Sequence, residues 1–167
     1  NCSVTNMNVY PNNFNQANIG DNLIAFKVVD QCGNRDSTYA TVTVKDTIPP
    51  TPLVQNISVY LDSNGRGEIS ANQIDNGSFD NCGVDSVFLS KHEFSCADIG
   101  ENKVDFTVFD INGNRSTILV TVTVLDTISP SIRTKNLLLY VDAHGKASTS
   151  ASEVNAGSYD NCGVDSM

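Results

Sequence analysis

Residues 99–130 read IGENKVDFTVFDINGNRSTILVTVTVLDTISP, and residues 19–50 read IGDNLIAFKVVDQCGNRDSTYATVTVKDTIPP. In the first stretch, Val104 to Phe109 (VDFTVF) and Thr117 to Leu125 (TILVTVTVL) are rich in β-branched side chains and largely alternate apolar with polar residues. Alternation places one set of side chains on one face of an extended chain, which predicts half-buried antiparallel strands. Asn112-Gly113 lies between them and suits a tight turn, because both residues tolerate positive φ. The second stretch is an earlier copy of the first, Ile19 matching Ile99 and Pro50 matching Pro130, and the same offset holds throughout. Asn1 to Val87 lies on Asn81 to Met167 without a gap, with 37 identities in 87 positions. DNCGVDS recurs at Asp80 and Asp160, GNR at Gly33 and Gly113, TVTV at Thr41 and Thr121, and DTIPP/DTISP at Asp46 and Asp126. A fixed period with such punctuation predicts tandem modules rather than one enzyme fold.

The Pro-bearing blocks Asp46 to Pro50 and Asp126 to Pro130 read as joints between modules, since proline removes a ladder donor just after a strand. On this phase 47–126 is a complete module, 1–46 the C-terminal part of a preceding one and 127–167 the N-terminal part of a following one. A joint at DNCG is the alternative phase and gives whole modules 1–80 and 81–160. The flanking pieces, at roughly 40 to 46 residues, are expected to need a disulfide, metal or partner to fold, so the chain reads as a window on a longer array. Further half-buried antiparallel strands are predicted at Asn56 to Leu61 (NISVYL) and Val84 to Leu89 (VDSVFL), with a tight turn at Asn64-Gly65. Ser70 with Gln73, and Ser150 with Glu153, have capping-box spacing and predict one short helical turn per module. The fold class expected is all-β, built of small β-sandwiches.

Ten basic against nineteen acidic residues give a formal charge of −9, which disfavours nucleic acid and anionic membrane as partners. No apolar run reaches the length of a membrane span, and no signal peptide or initiator methionine precedes Asn1. Tryptophan is absent, excluding a carbohydrate site built on stacked indoles.

Five cysteines point to an oxidising compartment. Cys82 and Cys96 flank a predicted hairpin turning near Ser90 to His92, and a bridge between them would close a loop worth roughly 3 kcal/mol. In the first copy Gln16 stands where Cys96 stands, and Cys32 where the second copy has Asn112. Cys2 pairs with Cys32 if the DNCG loop and the DxxGN turn lie at one end of the sandwich. Cys162 is then left over, its partner expected outside the chain. Five free thiols in a cytosolic protein are the competing reading, against which the spacings match neither a zinc site nor a redox CxxC.

The order DTIPP, SFDNCG, FSC, IGENKVDFTVFDINGN, TVTVLD resembles the SprB-like repeats of giant gliding-motility and cell-surface adhesins of Bacteroidota. It is similar, more distantly, to the HYR module, an immunoglobulin-like extracellular repeat ending in a VxDxxGN hairpin. The resemblance covers the whole chain and implies tandem immunoglobulin-like β-sandwich modules of about 80 residues, exported by type IX secretion and displayed on the outer surface. It implies neighbouring repeats of the same chain as partners, the secretion and gliding machinery through regions not present here, and a polysaccharide or solid surface as adhesive target. Gln16 departs from the pattern.

Asp30 with Asn34, Asp110 with Asn114, Asp80, Asp160, and the joint residues Asp46 and Asp126 offer hard oxygen ligands of the kind calcium takes. They equally suit capping of their own turns. No cofactor is required; structural calcium is the one candidate. An Asp followed by Ser or Thr and then a small or aliphatic residue is a Bacteroidota O-glycosylation pattern, matched at Ser37, Thr47, Ser86, Thr127 and Ser166. Turn and strand-edge roles are the alternative for these hydroxyls. No nucleophile, metal-ligand or phosphate-loop spacing surrounds His92 or His144, so no enzyme is expected. Three functions follow: a stalk spacer of an adhesive filament, a glycan- or surface-binding module using the variable stretch Thr5 to Asn13 against Asp85 to Glu93, and an accessory domain of a secreted hydrolase.

Overall fold

A computed structural model of the chain describes residues 2–164. It is mostly β-strand: β1 Val4–Tyr10, β2 Gly20–Asp30, β3 Arg35–Val44, β4 Ile57–Tyr60, β5 Arg66–Glu68, β6 Val84–Leu89, β7 Glu93–Ser95, β8 Gly100–Asp110 and β9 Arg115–Leu125. Among the described residues helix is confined to α1 (Ala71–Ile74), α2 (Ala151–Val154) and two short 3-10 turns at Gln16–Asn18 and Cys96–Asp98. β2 and β8 start at equivalent positions of the repeat, as do β3 and β9, and α1 and α2. β8 begins at Gly100, earlier than the alternation at Val104 predicts, because ladder pairing uses the backbone and does not require Glu101 to Lys103 to be apolar.

Three sheets form, with strand orders β1-β2-β3, β4-β9-β8-β6 and β5-β7. β2 and β3 are antiparallel in unbroken register from Gly20↔Val44 to Val29↔Arg35. β4 lies parallel to β9, not antiparallel as its alternation predicts, with Ile57 opposite Val122 and Tyr60 opposite Leu125; alternation sets which face is buried and leaves strand direction open. The predicted hairpin about Ser90 to His92 does not form. β6 pairs with β8, whereas β7 pairs with β5, Gly67 opposite Phe94. Leu89 and Phe94 are both buried, one in each sheet, so the chain crosses between sheets at this point instead of folding back.

The turns follow local chemistry. Asp110 Oδ1 accepts from the amides of Asn112 (2.9 Å) and Asn114 (2.7 Å), and Gly113 takes φ +90° to close the turn. Asp62 Oδ1 does the same for Asn64 and Arg66, both at 2.9 Å. Reciprocal capping boxes, Ser70 with Gln73 and Ser150 with Glu153, start α1 and α2.

The chain divides into two compact units. The first comprises residues 2–51, 79–86 and 108–116 and carries the β1-β2-β3 sheet, whose apolar residues Ile24, Phe26 and Val28 are only half-buried. The second comprises 52–78, 87–107 and 117–164 and holds a sealed core in which Ile74, Phe106, Val122 and Val124 have no solvent exposure. Among the described residues no helix is long and apolar enough to cross a membrane.

Candidate functional site at the two joints

Each DTI joint is built on one aspartate held by carboxamides, two at Asp46 and one at Asp126. Asp46 Oδ1 accepts from the Ile48 amide, and Asp126 Oδ1 from the Ile128 amide, at 3.1 Å in both. Asn81 Nδ2 donates to Asp46 Oδ1 at 3.3 Å, and Asn114 Nδ2 donates to the Asp46 carbonyl at 3.3 Å. At the later joint Asn161 Nδ2 donates to Asp126 Oδ1 at 3.1 Å and to the Asp62 carbonyl at 3.2 Å. The DNCG loops are shaped for this by their leading aspartates: Asp80 Oδ2 accepts from the Cys82 amide (2.7 Å), Asp160 Oδ2 from the Cys162 amide (3.0 Å).

The sulfur chemistry differs from the sequence expectation. Cys96 is bonded to Cys162, with Cα atoms 5.2 Å apart and a sequence separation of 66. The expected Cys82–Cys96 bridge is therefore wrong, as is the expectation that the partner of Cys162 lies outside the chain. Both errors trace to the hairpin that does not form, since without it Cys82 and Cys96 are not brought face to face. The bond fits because Gly65 lacks a side chain: a Cβ there would stand 2.5 Å from Cys96 Sγ, and its φ is +70°. Cys82 remains a free thiol. The position equivalent to Cys96 in the earlier copy is Gln16, which lines a cavity of about 240 Å³ together with Cys82 and Asp46. Cys2 and Cys32 are bonded, Cα atoms 6.0 Å apart. Their loops are also joined by Gln31 N donating to Ser3 O (3.0 Å), a contact that Ile111 N and Gly83 O make at 3.2 Å where Asn112 replaces the cysteine.

The candidate metal ligands separate into two groups. Asp110 is buried and committed to its turn, its Oδ2 taken by Asn114 Nδ2 at 2.7 Å. Asp30 is likewise saturated by the Cys32 and Asn34 amides and by Asn34 Nδ2, and the Asn34 side chain foremost holds its carboxyl below the usual range. Asp126 Oδ1 is occupied as described. Left over are Asp46 Oδ2, Asp80 Oδ1, Asp160 Oδ1 and Asn161 Oδ1, all buried and without a hydrogen-bond partner. Asp46, Asp80 and Cys82 each bring a ligand atom within 4.8 Å of the others. The Ile48 amide keeps Asp46 below the usual carboxylate range, while burial first, and then Asp46, Asp80 and Asp110, push the Cys82 thiol up. The two carboxylate oxygens are hard donors of the kind calcium takes, and the protonated Cys82 thiol adds no ligand to them.

Ser37, Thr47, Ser86 and Thr127 are exposed, and Ser166 lies outside the described residues. Sequence reasoning missed the roles of Asn161 and Gly65 and the meaning of Gln16. The repeat supplies the meaning of Gln16 only once the Cys96–Cys162 bond is known: shifted back by one period, that pair falls on Gln16 and Cys82. No family model and no curated protein sequence matches this chain.

Proposed function

We propose that the chain is a structural spacer from the stalk of a secreted, SprB-like cell-surface adhesin, built of tandem immunoglobulin-like sandwiches and serving surface adhesion and gliding motility. The Cys96–Cys162 bond carries this reading. It spans the Asp126 joint and takes the residues it encloses out of the path of a pulling force. In an array carrying this bond in every period, only the short stretch from each DNCG cysteine to the following FSC cysteine is left free to extend. A filament so built transmits traction instead of lengthening. Disulfides also favour an extracellular compartment, where type IX export would place it and where neighbouring repeats would be its immediate partners. Single-molecule pulling tests the mechanical role: reduction should release roughly 220 Å of extra contour, at about 3.4 Å per residue. An unchanged contour would remove the bond from the load path. For the location, antibodies to the oxidised chain should label intact producing cells; labelling only after permeabilisation contradicts surface display.

Calcium at Asp46 and Asp80 would neutralise two half-buried carboxylates and stiffen that joint. It should raise the melting temperature of the oxidised chain relative to chelator, and equal melting temperatures exclude it as a structural element. O-glycans at Ser37, Thr47, Ser86 or Thr127 would show as added mass on the native protein.

A binding role has one observation in its favour. A cleft of about 670 Å³ is lined by Arg66, Glu68, Lys91, Glu93, Phe94 and Asp98, and Lys91 and Glu93 fall in the stretch where the copies diverge most. Saturable binding of a polysaccharide, lost in Lys91→Ala, would favour this role over the spacer.

A further inference from the structure

We infer that the outward face of the β1-β2-β3 sheet binds an acidic polysaccharide, its sugar rings stacking on Tyr10 and Tyr39 and its carboxylates met by Lys27 and Arg35. Ile24, Phe26 and Val28 take one face of β2, so alternation puts Leu23, Ala25 and Lys27 on the other. Residues paired directly across a ladder share a face. Ala25 pairs with Tyr10 on one side and with Tyr39 on the other, so the two tyrosines stand in one row with only a methyl group between them. They are 76% and 69% exposed. Two strand spacings, about 10 Å, separate their backbones, and the small Ala25 keeps the floor between them low. Each ring offers a face to the C–H side of a sugar and a hydroxyl at its tip for hydrogen bonding.

The sheet itself does not need these tyrosines. The equivalent row of the four-stranded sheet is Ser90, Asp105 and Leu119, and that sheet forms all the same. Nor is the face open for want of a neighbouring strand. Leu119, equivalent to Tyr39, is 62% exposed although β4 is paired to β9, because β4 reaches only residues 122–125.

Charge selects the ligand. From Leu23 beside Thr41 to Val29 beside Arg35, the rows of this face hold Lys27 and Arg35 and no acid, although the chain as a whole carries a formal charge of −9. Both cations are exposed and neither is held in an ion pair. Lys27 follows Ala25 by two residues, about 7 Å along the strand, which brings its ammonium next to a sugar stacked on the tyrosine row. Arg35 adds a planar fork that matches a carboxylate. Two cations suit a polymer with carboxylates on some of its sugars, whereas a neutral glycan leaves them unused and a denser polyanion meets the net negative charge of the chain. Such a site requires no stalk role for the protein.

Retardation of the oxidised chain in native gels containing hyaluronan, with chelator present to exclude calcium bridging, tests this. Hyaluronan should retard the chain more than neutral dextran does, and added salt should weaken the effect. Tyr10→Ala and Tyr39→Ala should each weaken binding about tenfold while Tyr39→Phe keeps most of it, with melting temperatures unchanged because both side chains are exposed. Lys27→Gln should reduce hyaluronan to the level of dextran. No retardation, or retardation indifferent to both tyrosines, overturns the site; equal retardation by dextran or by single-stranded DNA overturns the ligand. Lys91→Ala, in the separate cleft, should leave hyaluronan binding intact, and its loss there would move the binding to that cleft.

Discussion

The joint at Asp46 and the joint at Asp126 are the same device in two states of completion. Both fold the carboxylate back on the isoleucine amide two residues on, and both are clasped by the asparagine of a DNCG loop. Only the later one is sealed by sulfur, because Cys96 faces Cys162 whereas Gln16 leaves Cys82 unbonded. The geometry of the joint therefore does not need the bond. Hydrogen bonds shape it, and the disulfide limits how far the chain can open once it is shaped.

The largest effect should come from moving the bond between the joints. Cys162→Ser should cost about 4 kcal/mol on the chain-entropy account of a loop this long, and Gln16→Cys should add a comparable amount by bonding Cys82. Denaturant melts of oxidised proteins measure both. If Gln16→Cys leaves Cys82 open to thiol reagents under oxidising conditions, the two joints are not equivalent.

Gly65→Ala should cost about 2 kcal/mol, since an L side chain at φ +70° is strained and its Cβ would crowd Cys96 Sγ. The same substitution at Gly145, the equivalent position in the next copy, has φ +71° but open space around it, so its cost should be smaller. Equal costs would show that backbone strain, not the sulfur, dominates at Gly65.

Removing the clasp should matter less. Asn81→Ala and Asn161→Ala each delete a donor to the joint carboxylate and should cost about 1 kcal/mol, read from urea midpoints. A much larger loss for Asn81→Ala would indicate that the bond compensates at the later joint.

Acid should act least, and alike on oxidised and reduced chains. Asp62, Asp98 and Asp142 are held below the usual carboxylate range by the Arg66 amide, the Lys91 ammonium and the Lys146 amide respectively. Lowered folded values mean that their stabilisation is present above about pH 4, the unfolded value, and is lost as pH falls through the folded ones. Thermal midpoints should be level from neutral pH to about pH 4 and decline below it. Asp62 and Asp142 are exposed and Asp98 is only half-buried, so the decline should be shallow and weaken further in salt.

The strands β6, β8 and β9, the Asn64-Gly65 and Asn112-Gly113 turns and both capping boxes were readable from the residues, because each depends on neighbours a few positions away. The aspartate turns were readable only as a choice between capping and calcium. Coordinates separate the choices: Asp30 and Asp110 spend both oxygens on their turns, while Asp46 and Asp80 each keep one buried oxygen unspent. The local difference is the asparagine four residues on, Asn34 or Asn114, whose side chain takes the second oxygen; Pro50 and Val84 stand there after Asp46 and Asp80.

By itself the sequence determined the period, the predominance of β-strand, the turn chemistry and the oddness of the cysteine count, all properties of residue type and short spacing. Tertiary structure alone decided that β6 and β7 enter different sheets and that Cys96 reaches forward to Cys162 instead of back to Cys82. The physical reason is that a disulfide forms between residues close in space, and closeness across a sequence separation of 66 is set by which sheet each strand joins, a choice made by burial of Leu89 and Phe94 on separate sheets rather than by any spacing along the chain.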